Sequence, residues 1–207
     1  MNKNLLILGA GMFGTVVREI AESTNCFEKI AFLDDSFGTD GFEKYHHEKN
    51  IIGKLDDYIA FMSEYAFAFV SIGNPEVRMK WTKKLIEAGY SIPSIISPHS
   101  FISPSAQLNI GVVVAPTAVI NSNTCIGEGS FITAGSVIDH NSIIGDYCNV
   151  QCGTVVMPGA RMPDFTKTQP NDVFRKSPMS YTFENLDGKT IVKEQSINFT
   201  TDGNIEG

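Results

Sequence analysis

Two places in the chain gather residues that could do chemistry. The first is the turn GAGMFG, where Gly9, Gly11 and Gly14 match G-x-G-x-x-G. Asp34 and Asp35 follow the last of these glycines by about 20 residues, the distance at which a ribose-binding carboxylate is expected. Glycines so spaced let the backbone approach a phosphate, and the start of a following helix adds partial positive charge. The same residues also suit a plain tight turn and a helix cap. A related stretch, SIGNPEVR, puts Gly73 at a strand end and Arg78 in a first helical turn, near where a phosphate would sit. The second place is His140, flanked by Asp139 and Asn141 and preceded by the small residues Thr133, Ala134 and Gly135, which would leave an open groove. A neutral imidazole on an outer wall, its tautomer fixed by a neighbour, can take a proton from a bound nucleophile. No Ser/His/Asp triad, zinc-ligand cluster or glycosidase-like carboxylate pair stands out.

The glycine turn needs an α/β scaffold, and the chain supplies one. Asn4 to Leu8 is a short apolar run suited to a buried parallel strand, and Met12 to Glu22 has helical spacing in Phe13, Val16, Val17, Ile20 and Ala21. Lys29 to Leu33 and Ala66 to Ile72 read as further strands, with Ile51 to Leu55 as a short one and Asp56 to Glu64 as a helix. Pro75 suits the first turn of a helix that Gly89 ends. Residues 1–93 are therefore expected to form a half-Rossmann α/β domain, sized for one mononucleotide.

His140 sits in a different kind of sequence. From Ser94 to Pro163, Ile96, Ile102, Leu108, Val114, Ile120, Ile126, Ile132, Ile138, Ile144, Val150, Val156 and Met162 recur every sixth residue. Two residues before each stands a mostly small one, from Ser94 and Ser100 to Thr154 and Ala160. A hexad repeat without insertion predicts a parallel β-helix, with three short strands to a coil and the large aliphatic inside. Twelve hexads give four coils, a prism roughly 20 Å tall. In this frame His140 points outward, with Ser122 one coil below and Pro158 one coil above. The hexad is expected to stop after Met162. Residues 164–207 then form an extension holding a hairpin, SYTFEN and KTIVKE around Asp187-Gly188.

Composition narrows the class. The chain has 207 residues, 43% of them hydrophobic, and a formal net charge of −7, which argues against a nucleic-acid partner. No apolar run has membrane-spanning length, and Leu5 to Leu8 is too short for a signal segment, so no membrane partner is expected. Cys26, Cys125, Cys148 and Cys152 lack CxxC spacing and read as free thiols in a reducing cytoplasm. Cys148 falls inward and Cys152 outward, so the pair is not expected to hold a metal.

Taken together, GAGMFG, the strand end FLDD, SIGNPEVR, PSIISPHSFISPSAQL and VINSNTCIGEGSFITAGSVIDHNSIIGDYCNV resemble the sialic-acid O-acetyltransferase and nucleotide-amino-sugar N-acetyltransferase family. Its members are left-handed β-helix acyltransferases. The resemblance runs to about Gly159. It implies a left-handed prism, a homotrimer, acetyl-CoA between neighbouring prisms, and a nucleotide-linked sugar on the N-terminal domain. It puts the family's base on His140, with Asn141 beside it, and the sugar-nucleotide contacts on Gly9, Gly11, Asp34 and Asp35, more loosely on Gly73 and Arg78. Three positions depart from the pattern: Asn141 replaces an acid, Asn149 a second histidine, and Pro158 the glycine whose N–H is thought to hold the oxyanion. Gly159 or Gly153 could take over that donor role, with Ala134 beside the coenzyme groove.

The expectation is thus an acetyl-CoA-dependent acetyltransferase acting on the amino group of a nucleotide-linked sugar in surface-glycan biosynthesis. The alternatives are sialic-acid O-acetylation and a degenerate homologue that binds the nucleotide sugar without transfer. A nicotinamide-dependent enzyme is disfavoured because the Rossmann unit lacks its second half.

Overall fold

The computed structural model describes residues 2–39, 50–175, 180–184 and 190–194, the last two for their backbone alone. The α/β unit contains β1 (Asn4–Leu8), α1 (Met12–Ser23), β2 (Lys29–Leu33), β3 (Ile51–Gly53), β4 (Phe67–Val70) and α2 (Pro75–Ala88). Where a helix was expected over Asp56 to Glu64, the chain forms a 3-10 helix at Leu55–Phe61. The strands form one parallel sheet in the order β3-β2-β1-β4. Leu5 to Leu8 are all fully buried, as expected of a parallel strand covered on both faces. Their alternation sorts the core. Leu5 and Ile7 pack with Val17 and Ile20 of α1, while Leu6 and Leu8 pack with Trp81 and Leu85 of α2. Asn74 caps α2 by accepting from the Val77 N–H at 2.9 Å, and Gly89 ends it in the left-handed conformation at φ 100°.

The hexads form the expected prism, a left-handed β-helix with three faces of stacked parallel two-residue strands. Face A carries Ile95–Ile96, Val113–Val114, Phe131–Ile132 and Asn149–Val150; face B runs from Phe101–Ile102 through Val119–Ile120, Val137–Ile138 and Val155–Val156; face C runs from Gln107–Leu108 to Arg161–Met162. Val114, Ile120, Ile132, Ile138, Val150 and Val156 fill the interior with no exposed surface. The small residues two places earlier do more than save space. Ser130, Ser136 and Ser142 each donate a hydroxyl to the carbonyl fifteen residues on (Gly145, Gln151 and Met157, at 2.8, 3.0 and 3.0 Å). Buried hydroxyls thereby stitch each coil to the next instead of standing unpaired.

A second six-residue period appears at the corners. Gly111, Thr117, Asn123, Gly129, Gly135, Asn141, Tyr147, Gly153, Gly159, Phe165 and Asn171 all adopt positive φ, between 54° and 71°. Only glycine does this freely and asparagine readily, which explains the Gly and Asn enrichment at this place in the frame. The turn N–H reaches down one coil, as in Asn141 to Ser122 O and Gly159 to His140 O, both 2.9 Å.

The repeat does not stop at Met162. Lys167 bridges to Asn149, and Val173–Phe174 pairs with Val155–Val156, extending face B to five strands. The aliphatic pattern failed there because the interior place after Met162 is Thr168. It is 3% exposed, and its hydroxyl meets that of Thr154 at 2.9 Å, so a polar residue fits without an unpaired group. Beyond the prism, Ser180–Glu184 pairs antiparallel with Thr190–Glu194 as the hairpin predicts. Its turn at Asp187-Gly188 lies outside the described residues.

Face A is where the two units meet. Its outward residues Ile95, Val113 and Phe131 join the core cluster of β1, β2 and α1, and the Phe131 ring stacks on Phe13 at 4.7 Å. Face B instead turns its apolar ladder outward: Phe101 is 55% exposed and Val173 41%.

Candidate active site

The α/β unit offers a crevice. Strand order reverses between β1 and β4, and ligands of open parallel sheets bind beyond the carboxyl ends of strands at such a switch point. Gly9–Gly11 leaves β1 there and Ser71–Asn74 leaves β4, each leading into a helix N-terminus. The glycines have distinct tasks. A Cβ on Gly14 would lie 2.3 Å from Gly9 O, so Gly14 lets α1 sit on the turn. Gly9 needs φ +100° and has Ile72 and Ser71 side chains within 3.2 Å of its missing Cβ. Gly11, at the N-cap of α1, and Gly73 face open space, so their backbone is the part a phosphate could approach.

Asp34 closes the crevice side of the turn. Its Oδ2 accepts from the Ala10 N–H at 2.7 Å, and its Oδ1 accepts from the Ser36 N–H at 2.9 Å and from the Ser36 hydroxyl at 2.5 Å. Asp35 turns away and accepts from the Leu55 N–H at 3.2 Å, capping the 3-10 helix. The acids are thus divided: one braces the glycine turn, and the other holds the next element.

Arg78 corrects the expectation of a phosphate contact. It is 1% exposed and donates only to protein acceptors: Nε to Gly129 O at 2.8 Å, Nη1 to Ile72 O at 2.8 Å, and Nη2 to Tyr147 O and Asn149 Oδ1 at 3.0 and 2.8 Å. The guanidinium also lies 3.8 Å from the Phe131 ring centroid, a cation–π contact. Burial pulls its pKa down to about 10, so it remains charged at neutral pH. Asn149, one of the departures noted above, donates back from Nδ2 to Gly73 O at 2.8 Å. Arg78 and Asn149 pin α2 to the prism, at a place where a helix-start arginine could be mistaken in sequence for a ligand contact.

The prism offers the second half of the site, at the corner between faces B and C. His140 is exposed there, and the ladder that pairs Val137 with Val155 and Val119 puts it between Ser122 and Pro158 as the hexad frame predicts. Asp139 Oδ1 accepts from the His140 backbone N–H at 2.7 Å and from Asn121 Nδ2 at 3.1 Å. The ring is met by Asn141, whose Nδ2 lies 2.9 Å from His140 Nδ1. Asn141 also occupies the left-handed corner place, at φ 59°, so its type answers to the backbone as well as to the imidazole. One coil below, the amide of Asn123 meets that of Asn141 at 3.2 Å. Asn123 was not singled out in the sequence, although its eighteen-residue offset from Asn141 would have exposed it.

The proposed coenzyme residues divide between corners. Gly159 stands above His140, but its N–H already donates to His140 O. Ala134 and Gly153 lie at the corner between faces A and B, where the Gly153 N–H donates to Ala134 O at 3.0 Å and the Asn171 amide fills the space beside its Cα. Pro158 has no N–H at all. Among the described residues, no group of His, Cys, Asp and Glu could hold a metal ion, and no helix is long and apolar enough to cross a membrane.

An α/β unit with a switch-point crevice is thus docked on a left-handed hexad prism with an exposed corner histidine. Residues 4–85 match the family model of the PglD N-terminal domain. GDP-perosamine N-acetyltransferase from Caulobacter crescentus, as a histidine-to-alanine mutant in complex with CoA and GDP-perosamine, superposes with a TM-score of 0.68 at 22% identity, covering 84% of this chain and 89% of that one. The acetyltransferase domain of PglB from Neisseria gonorrhoeae, in complex with acetyl coenzyme A, gives 0.64 at 21% identity, covering 84% and 93%. WeeI from Acinetobacter baumannii gives 0.64 at 19% identity, covering 82% and 93%. The resemblance drawn from the motifs is therefore borne out by the N-terminal family match and by the fold of the whole.

Proposed function

We propose that this protein is an acetyltransferase that moves the acetyl group of acetyl-CoA to the amino group of a nucleotide-linked sugar, within surface-glycan biosynthesis. The nucleotide lies at the switch-point crevice beside Gly11 and Gly73, with Asp34 bracing the turn. The sugar amine attacks the thioester carbonyl, and His140 Nε2 takes its proton. The tetrahedral intermediate collapses, the carbon–sulfur bond breaks, and the coenzyme leaves as a thiolate that is then protonated. The observation that carries this reading is the pairing, in one chain, of a PglD-type domain with an exposed imidazole held by a neighbouring amide. The relative studied as a histidine mutant with CoA and an amino-sugar nucleotide supports it.

The halves of the site face different ways. The α/β unit covers face A, and His140 stands at the B–C corner, the edge of the triangle opposite that face. One chain cannot close the site on itself. A neighbouring protomer that brings its own nucleotide domain to this corner completes it. The outward ladder of face B, exposed at Phe101 and Val173 and half-buried at Val119, Val137 and Val155, suits the homotrimer that the family resemblance implies.

A second reading has its own support. Pro158 lacks an N–H, and the N–H groups of Gly153 and Gly159 are spent inside the chain. That favours a homologue that binds the nucleotide sugar without transfer. Release of coenzyme thiol, followed across a panel of nucleotide amino sugars and free sialic acid, separates the readings. Thiol release with an amino-sugar nucleotide supports transfer to nitrogen; release with sialic acid alone replaces it by O-acetylation. Nucleotide-sugar binding without release leaves the non-catalytic reading.

A further inference from the structure

We infer that Asp139 selects an amine over a hydroxyl as the acceptor, by accepting one of its N–H groups beside His140. This rests on the reading of His140 as the base. The carboxylate has one oxygen committed and one to spare. Its Oδ1 takes both donors, the His140 backbone N–H at 2.7 Å and Asn121 Nδ2 at 3.1 Å. Among the described residues none meets Oδ2, although the residue is half-buried. The Asp139 main chain is tied to two other strands of the prism. Its N–H donates to Val156 O at 3.0 Å, and its carbonyl accepts from the Thr124 hydroxyl at 3.2 Å. The carboxylate is thus held in one place, against the main chain of the base itself, with a charged acceptor left over. A carboxylate oxygen can only accept, so the group it awaits is a donor.

Counting donors says which substrate fits. A primary amine has two N–H groups and a lone pair, whereas a sugar hydroxyl has a single O–H. During attack the lone pair must face the thioester carbonyl, and one hydrogen must face the His140 imidazole. An amine still has a second N–H for Asp139 Oδ2. A hydroxyl has none, so it leaves either the carboxylate or the base without a hydrogen. Polar groups left unmet in this way are how a site rejects a near-isostere. Charge acts in the same direction. An amino sugar arrives largely as the ammonium, which a carboxylate attracts, and it loses one proton to solvent before it attacks. Sialic acid carries a carboxylate of its own, which Asp139 repels. Asp139 accepts a hydrogen bond and no proton, so the transfer steps stay as given above. Its place beside the base favours nitrogen over oxygen as the acceptor atom.

Asp139→Asn is a narrow probe of this. Its amide oxygen can still accept from the His140 N–H and from Asn121, and only the spare oxygen is exchanged for a neutral donor. Each UDP- or GDP-linked amino sugar of the panel is paired with the nucleotide sugar bearing a hydroxyl at the same carbon, as UDP-glucosamine with UDP-glucose. Both members are titrated by calorimetry into protein loaded with CoA. Wild type should bind the amine member roughly tenfold more tightly, the worth of one charge-assisted hydrogen bond on a half-exposed wall. Asp139→Asn should lose that preference by weakening the amine member alone, with the hydroxyl member and the melting temperature unchanged. Asp139→Ala also removes the brace on His140 and should lower kcat further. A wild type without the preference, or an Asp139→Asn protein that keeps it, overturns the proposal. So does impairment confined to Asp139→Ala, the mark of a brace and nothing more. Full turnover in His140→Ala would instead remove the base reading, while the binding comparison, which needs no turnover, would still judge Asp139. Binding of neither member of any pair would overturn both.

Discussion

Two corners of the prism share one backbone frame and have opposite fates. At the corner between faces C and A, the stacked left-handed places hold Gly129, Tyr147 and Phe165; at the corner between faces B and C they hold Asn123, Asn141 and Gly159. The first is closed. The Tyr147 ring sits where a Gly129 Cβ would be, at 2.4 Å, stacks on Phe165, and hydrogen-bonds through its hydroxyl to Glu128. Burial, with the Glu128 contact second, drives the Tyr147 pKa far above the usual phenol range. Arg78 arrives from the α/β unit and binds the carbonyls of Gly129 and Tyr147. Among the described residues the second corner has no such cover, and its polar groups hold one another and an exposed imidazole. Identical backbone geometry thus yields a structural pin at one corner and a reactive group at the other. What differs is whether another domain lies on top.

That contrast can be broken at either corner. The largest effect is expected at the open one: His140→Ala should lower kcat by ~10²–10⁴-fold while leaving nucleotide binding intact, measured by thiol release and calorimetry. At the closed corner, Arg78→Met should cost stability, on the order of 3 kcal/mol or more, because several buried carbonyls lose their donor together. Denaturant unfolding measures this. Unchanged stability with lost nucleotide affinity would return Arg78 to the ligand site. Next come the two glycines. Gly129→Ala should destabilise by about 2–4 kcal/mol, since its Cβ meets the Tyr147 ring and its φ is +62°, whereas Gly159→Ala, with open space at φ +69°, should cost only ~1 kcal/mol. Equal melting shifts for the two would show that the corners do not differ in cover. The smallest perturbation is chemical. Burial raises the Cys148 thiol to about 11, and its sulfur packs inside the prism, whereas Cys26 and Cys152 are exposed. A thiol reagent at neutral pH should modify Cys26 and Cys152 quickly and Cys148 only on unfolding. Rapid labelling of all four would mean that the prism opens.

Much of this was legible in the residues because the prism is a local code. A side chain's place on face, corner or interior depends on its position modulo six, so His140 could be set between Ser122 and Pro158 without coordinates. The same code held two messages that went unread: the Gly and Asn corner period, and the serines whose hydroxyls bridge coils. It failed past Met162 because Thr168 satisfies itself through a hydroxyl that an aliphatic pattern does not anticipate.

The glycine turn, the parallel strands and the hexad register were therefore determined by the sequence, since each depends on neighbours a few residues apart or on a strict period. The tertiary structure alone decided that Arg78 and Asn149 join the two units, that the Gly153 and Gly159 N–H groups are spent within the chain, and that Asn123 reaches His140 through Asn141. These depend on which surfaces bury one another across the chain, and burial is what turns a cation or an amide from a ligand group into a pin.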